Sequence, residues 1–205
     1  MLGVKLFYML MLFFVLQITA QTSPIKVVVE DIPNRLAFFA INGSTADYDV
    51  KVTISGTNFR QSKAKPRLIR VPAASKVHLK TIMLIRGKRP SYTYTIFQND
   101  SLSKRALKKP FEKIKINPKK QITLYIPHNC TSCDSIIPSL AKGKYKYISY
   151  LLSEHENITS QLQRSFGAHS IPVDSLQNPI INLGGKLYTN IETYQKLLEE
   201  LDKEY

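Results

Sequence analysis

The stretch Gln121-Ile122-Thr123-Leu124-Tyr125-Ile126-Pro127-His128-Asn129-Cys130-Thr131-Ser132-Cys133 decides how the second half of the chain is read. Ile122, Leu124 and Ile126 alternate with Thr123 and Tyr125, the period of a strand whose successive side chains point to opposite faces. Pro127-His128-Asn129 breaks that run. Ser132 to Lys142 follows, with Ile136, Ile137 and Leu140 at helical spacing. Cys130 and Cys133, the only cysteines in the chain, therefore stand between a strand and a helix.

Downstream the rhythm continues. Tyr145 to Leu151 reads as a second strand. Asn157 to Phe166 reads as a helix, with Asn157 as its N-cap, Ile158, Leu162 and Phe166 on one face, and Gly167 as its stop. Pro179 precedes a third strand, Ile180 to Leu183. Gly184-Gly185 turns the chain into Lys186-Leu187-Tyr188. Asn190 is placed to cap a last helix whose stripe is Ile191, Tyr194, Leu197, Leu198 and Leu201. The order β-α-β-α-β-β-α fills residues 121–205.

With a C-x-x-C pair after its first strand and a proline before its third, this half resembles the thioredoxin-like fold in its glutaredoxin-sized form. The resemblance implies a thioredoxin-like α/β domain over 120–205. It implies that Pro179 lies in cis against the cysteine pair, that Cys130 is the nucleophile, and that Cys133 resolves the mixed disulfide. Thr131-Ser132 replaces the Pro-Tyr or Gly-Pro of that family, and Asn178 stands where Val or Thr is usual.

The chemistry of such a pair is general. A helix N-terminus carries partial positive charge and unsatisfied N–H groups, both of which favour a thiolate. Lowering a thiol pKa from about 8.5 to about 7 raises the ionised fraction at neutral pH from about 3% to half. Cys130, expected at that terminus, should be the more exposed sulfur, and Cys133, one turn inward, the buried one. His128 and Asn178 are possible modulators, His128 by donating to the thiolate as the cation. A disulfide this short closes a small ring, worth about 2 kcal/mol against about 3 for a 15-residue loop, so stability alone is a weak reason for it.

No metal or cofactor is expected. Zinc needs two ligands beyond the cysteines, and there is no second C-x-x-C to supply them. His128, His155 and His169 follow no ligand spacing. Paired carboxylates, a Ser-His-Asp set, a phosphate-binding glycine loop and a nucleotide fingerprint are all missing from the sequence.

Upstream the composition changes abruptly. Residues 21–120 carry 21 Lys and Arg against 6 Asp and Glu, whereas 121–205 carry 7 against 9, within a chain of net charge +14. The Asn117-Pro118-Lys119-Lys120 stretch is the natural joint. Within 21–119 the pattern is period two: Val27 and Val29, then Tyr48, Val50, Val52 and Ile54, then Val77, Leu79, Thr81 and Met83, then Tyr92, Tyr94 and Ile96. Leu36 to Ile41 is continuously apolar, as in a strand covered on both faces. Turns fall at Asn42-Gly43-Ser44, Gly56-Thr57-Asn58 and Gly87-Lys88-Arg89-Pro90. Short strands at this spacing predict an all-β immunoglobulin-like sandwich. Thr57-Asn58-Phe59 and Val71-Pro72-Ala73-Ala74-Ser75 resemble Ig-like envelope domains of Bacteroidetes-type secreted proteins.

Met1 to Lys5 form a basic start, Leu6 to Ile18 an apolar run, and Thr19-Ala20 a small-residue cleavage point. That is the layout of a signal peptide over 1–20, its apolar run too short for the roughly 20 residues a membrane span needs. An exported chain, periplasmic or extracellular, with no transmembrane segment after processing is the expectation. The functional expectation is a thiol–disulfide oxidoreductase acting on protein thiols and disulfides. The alternative is a non-enzymatic envelope binding protein whose basic half docks to an anionic surface or partner. Nucleic acid is not an expected partner, because no aromatic residues interleave the basic ones for base stacking.

Overall fold

A computed structural model of the chain describes residues 23–167 and 172–203. The expected signal peptide and His169 lie outside the described residues.

The first half is built from nine strands. They are β1 (Ile25–Ile32), β2 (Arg35–Asn42), β3 (Tyr48–Thr57), β4 (Phe59–Arg60), β5 (Ile69–Val71), β6 (Ser75–Leu84), β7 (Ser91–Asn99), β8 (Leu107–Lys108) and β9 (Phe111–Lys113). One sheet runs β1-β2-β6-β4, with β9 also on β6, and a second runs β7-β3-β5-β8. Between them lies one apolar core, in which Phe38, Ala40, Val77, Leu79 and Ile82 from the first sheet meet Val50, Val52, Ile54 and Val71 from the second. The core is closed from the edge strand β7, where Tyr92 and Tyr94 set their edges against Phe38 at 5.5 and 5.8 Å. Burying such alternating rows removes apolar area from water, at about 25 cal/mol per Å2, and is the main force holding the sheets together.

Two local features fix how β3 meets its neighbours. Gly56 sits at φ 150° directly on Ser91, and a Cβ there would lie 2.0 Å from the Ser91 carbonyl oxygen, so only glycine lets β3 and β7 pair through to Ser91. Asp49 is fully buried on β3 and is held by the Arg70 guanidinium and by the Ser103 N–H, while Arg70 Nη2 also donates to the Ser103 carbonyl at 2.9 Å. The hydrogen bond to Asp49 is the main reason the Arg70 pKa is raised, with burial opposing it.

A third sheet runs β11-β10-β12-β13, from β10 (Ile122–Ile126), β11 (Tyr147–Leu151), β12 (Ile180–Leu183) and β13 (Lys186–Tyr188). β10 and β11 are parallel, and the other two pairs are antiparallel. Three helices accompany it: α1 (Cys133–Lys142), α2 (Glu156–Phe166) and α3 (Tyr194–Asp202). Ile122, Leu124, Ile181 and Leu183 pack with Ile136 and Leu140 of α1 and Leu197 and Leu201 of α3. Ile180 packs with Leu152, Leu162 of α2 and Val173 in a separate cluster. Lys115 Nζ donates to the carbonyls of Leu140, Ala141 and Gly143, so a cation closes the C-terminal end of α1.

The expected fold class is corrected by this arrangement. The described chain is mostly β, on three sheets with three α-helices, and does not fit an immunoglobulin-like sandwich followed by an α/β thioredoxin-like domain. Part of the reason is that β4, β8 and β9 are only two or three residues long, too short for alternation to reveal. β8 moreover joins β5 in parallel, a long-range contact that periodicity does not encode. The third sheet's core also reaches upstream: Ile116 and Ala74 belong to it, Ile114 N–H donates to the Ala74 carbonyl at 2.9 Å, and Ile116 bridges Tyr145 in parallel. Ala74 holds this position at φ 48°, in left-handed backbone uncommon for a residue with a Cβ.

Candidate functional site

β10 delivers the chain to the cysteine loop. Pro127 is buried at its end, His128 and Asn129 are exposed, and Cys130 is half-buried. Cys130 and Cys133 form a disulfide with their Cα atoms 5.5 Å apart. Cys133 is 4% exposed and is the first residue of α1, facing inward with Ile136 and Leu140. The helix thus starts at the second cysteine, not the first. Ser132 is its N-cap without a side-chain cap bond, and Cys130 precedes it in the loop. Cys130 is the more exposed residue of the pair and Cys133 the buried one.

The segment before β12 lies against this loop. The Gln177 carbonyl accepts from Thr131 N–H at 2.9 Å and from Ser132 N–H at 3.4 Å. Those are the last N–H groups before the helix, so a backbone oxygen occupies the donors that would otherwise face solvent or a ligand. Pro179 follows two residues later, buried at the start of β12. No peptide bond among the described residues is cis, so the bond before Pro179 is trans and the cis geometry implied by the resemblance is corrected. The sequence reading singled out Asn178 and missed Gln177, whose contribution is a main-chain carbonyl and so carries no residue-type signal.

Of the other expected site residues, Asn178 is half-buried beside Pro179, and His128 is exposed on the loop with no hydrogen-bond partner among the described residues. His155 lies elsewhere, its ring edge-on to Tyr150 at 5.4 Å, and Tyr150 stacks on Tyr125. Asp134, in the first turn of α1, is exposed and favourably placed for the helix dipole. Among the described residues no group of three or more His, Cys, Asp or Glu is placed to hold a metal ion, and no helix is long and apolar enough to cross a membrane.

No family model and no curated protein matches the sequence. Among solved structures, the chain is similar to the crystal structure of β-D-mannosidase from Dictyoglomus thermophilum at 20% identity, over 50% of this chain and 13% of that one, with a TM-score of 0.29. A superposition that poor carries no argument about fold or activity.

Proposed function

We propose that the protein is an exported thiol–disulfide oxidoreductase working through Cys130 and Cys133. The observation that carries this reading is the asymmetric pair: a half-exposed Cys130 disulfide-bonded to a buried Cys133 at the entry of α1. In the dithiol form, the Cys130 thiolate attacks one sulfur of a substrate disulfide. A Cys130–substrate disulfide forms, and the other substrate sulfur leaves as a thiolate that takes up a proton. Cys133 then loses its proton and attacks the Cys130 sulfur, which restores the Cys130–Cys133 disulfide and releases the second substrate thiol. Two electrons pass from the protein dithiol to the substrate disulfide, and the reverse sequence oxidises a substrate dithiol. The Thr131 and Ser132 N–H groups, in the loop between the two cysteines, are held by the Gln177 carbonyl. A Cys130–Cys133 disulfide and the signal-peptide layout of the N-terminus both support an oxidising compartment.

Cys133→Ser tests the reading. Expressed in its native compartment, this variant should accumulate mixed disulfides with substrate proteins, and the additional change Cys130→Ser should remove them. If neither variant traps a partner, and the purified wild type neither reduces insulin disulfides nor oxidises a reduced test peptide, the activity is ruled out.

A further inference from the structure

The basic residues cluster in two segments of the sequence, 60–70 and 104–120, and the fold brings them together. β5 and β8 run side by side in parallel, pairing Ile69 with Leu107 and Arg70 with Lys108. Beside this pair opens a cavity of about 290 Å3. Its floor is apolar and includes Val52 and Leu79, both nearly inaccessible, while Lys65, Arg67, Lys80 and Lys109 stand around it. Among the described residues no acidic one lines it. Arg70, the neighbouring cation, is already committed to Asp49, but among the described residues none of the four lining cations forms an ion pair.

The arrangement is electrostatically unbalanced. Lys109 is partly withdrawn from water, and its Nζ donates to the Leu79 carbonyl at 3.0 Å, a neutral partner where a carboxylate would be expected. Burial accordingly holds the Lys109 pKa below the usual lysine range. His78, close by, is held low first by its own burial and then by the Lys109 charge. An anion in the cavity would balance the unpaired cations and offset the Lys109–His78 repulsion.

We propose that this cavity binds anionic sugar residues of a polysaccharide, with the acidic group on Lys65, Arg67, Lys80 and Lys109 and the sugar ring over the apolar floor. The volume suits a single ring and its acidic group, near the lower end of small-ligand pockets. Among the described residues no aromatic side chain lines the site, which disfavours a nucleic-acid strand that would need stacking. The large apolar side chains Val52, Ile69 and Leu79 are buried and only the small Ala64 and Pro66 are exposed, which disfavours entry into a bilayer. The inference does not depend on the redox reading.

Titration of the full processed chain with polygalacturonate by calorimetry tests it. Lys65 and Arg67 are exposed, so the double variant K65E/R67E should fold as the wild type does and bind at least about tenfold more weakly. K88E/R89E makes the same change in net charge on the β6–β7 turn, outside the cavity, and should bind within about twofold of wild type. Three results would overturn the proposal: no binding of polygalacturonate, equal weakening in the two double variants, or tighter binding of phosphatidylglycerol vesicles or single-stranded DNA with the same dependence on Lys65 and Arg67.

Discussion

The two halves of the molecule solve the same problem, covering a sheet, in different ways. In the first half two sheets cover each other, so each keeps an outer face and an open rim, and those surfaces carry the excess of Lys and Arg. In the second half β10 and β12 feed two clusters: Ile122, Leu124, Ile181 and Leu183 pack with α1 and α3, and Tyr125 and Ile180 pack with α2. The reactive groups of this half collect where strands end and loops begin. That is where Cys130, Gln177 and Pro179 are found. The charged and reactive groups thus lie on the surface and rim of one half and at the strand ends of the other.

Stability should divide along the same line. The largest expected effect is in the first half, where Arg70→Ala strands the fully buried Asp49 carboxylate and should cost about 3–5 kcal/mol in urea unfolding. A loss below about 1 kcal/mol would mean that the buried pair does not anchor β3 to β5. Next, reducing the disulfide should lower stability by only about 2 kcal/mol, followed by melting with and without dithiothreitol. A loss of twice that would recast the cysteines as a structural staple and remove the contrast between a supported core and a reactive loop. Smaller still, Thr193→Ala removes the side-chain acceptor of Lys196 N–H at the start of α3. It should cost about 1 kcal/mol, with faster hydrogen exchange confined to the second half.

The smallest effect is one of pH. Burial, then Lys109, depress the pKa of His78 in the folded chain, so as pH falls below about 6.5 the unfolded chain binds the extra proton first. Stability should therefore decline as pH drops through that window toward the depressed folded value. His78→Gln should flatten this part of the curve, as read from unfolding midpoints between pH 7 and pH 5, while leaving the second half's hydrogen exchange untouched.

Much of the local structure was legible in residue order. Alternation over 122–126 marks β10, and the apolar spacing of Ile136 and Leu140 marks α1, which starts one residue later than expected. The last helix begins at Tyr194 with Thr193 as its cap, not at the expected Asn190: both side chains can accept an N–H, and packing of Leu197 and Leu201 selects the later start. α2 begins at Glu156, a residue before the expected Asn157 cap, with His155 at the N-cap position. The candidate site divides in the same way. Cys130, Cys133 and Pro179 announce themselves by residue type, whereas the Gln177 carbonyl and the trans bond before Pro179 do not.

Residue order alone locates the longer strands and the three helices, assigns the charge to the first half, and places the thiol pair between a strand and a helix. Period and composition are local properties, so they survive reading without a fold. The tertiary structure alone decided that β8 joins β5, that the two basic segments meet around one cavity, that Ala74 and Ile116 enter the second core, and that Gln177 closes over the cysteine loop. Those contacts join residues tens of positions apart. Each forms only where mutual burial and pairing outweigh the entropy of closing the chain between them, a balance that no local pattern records.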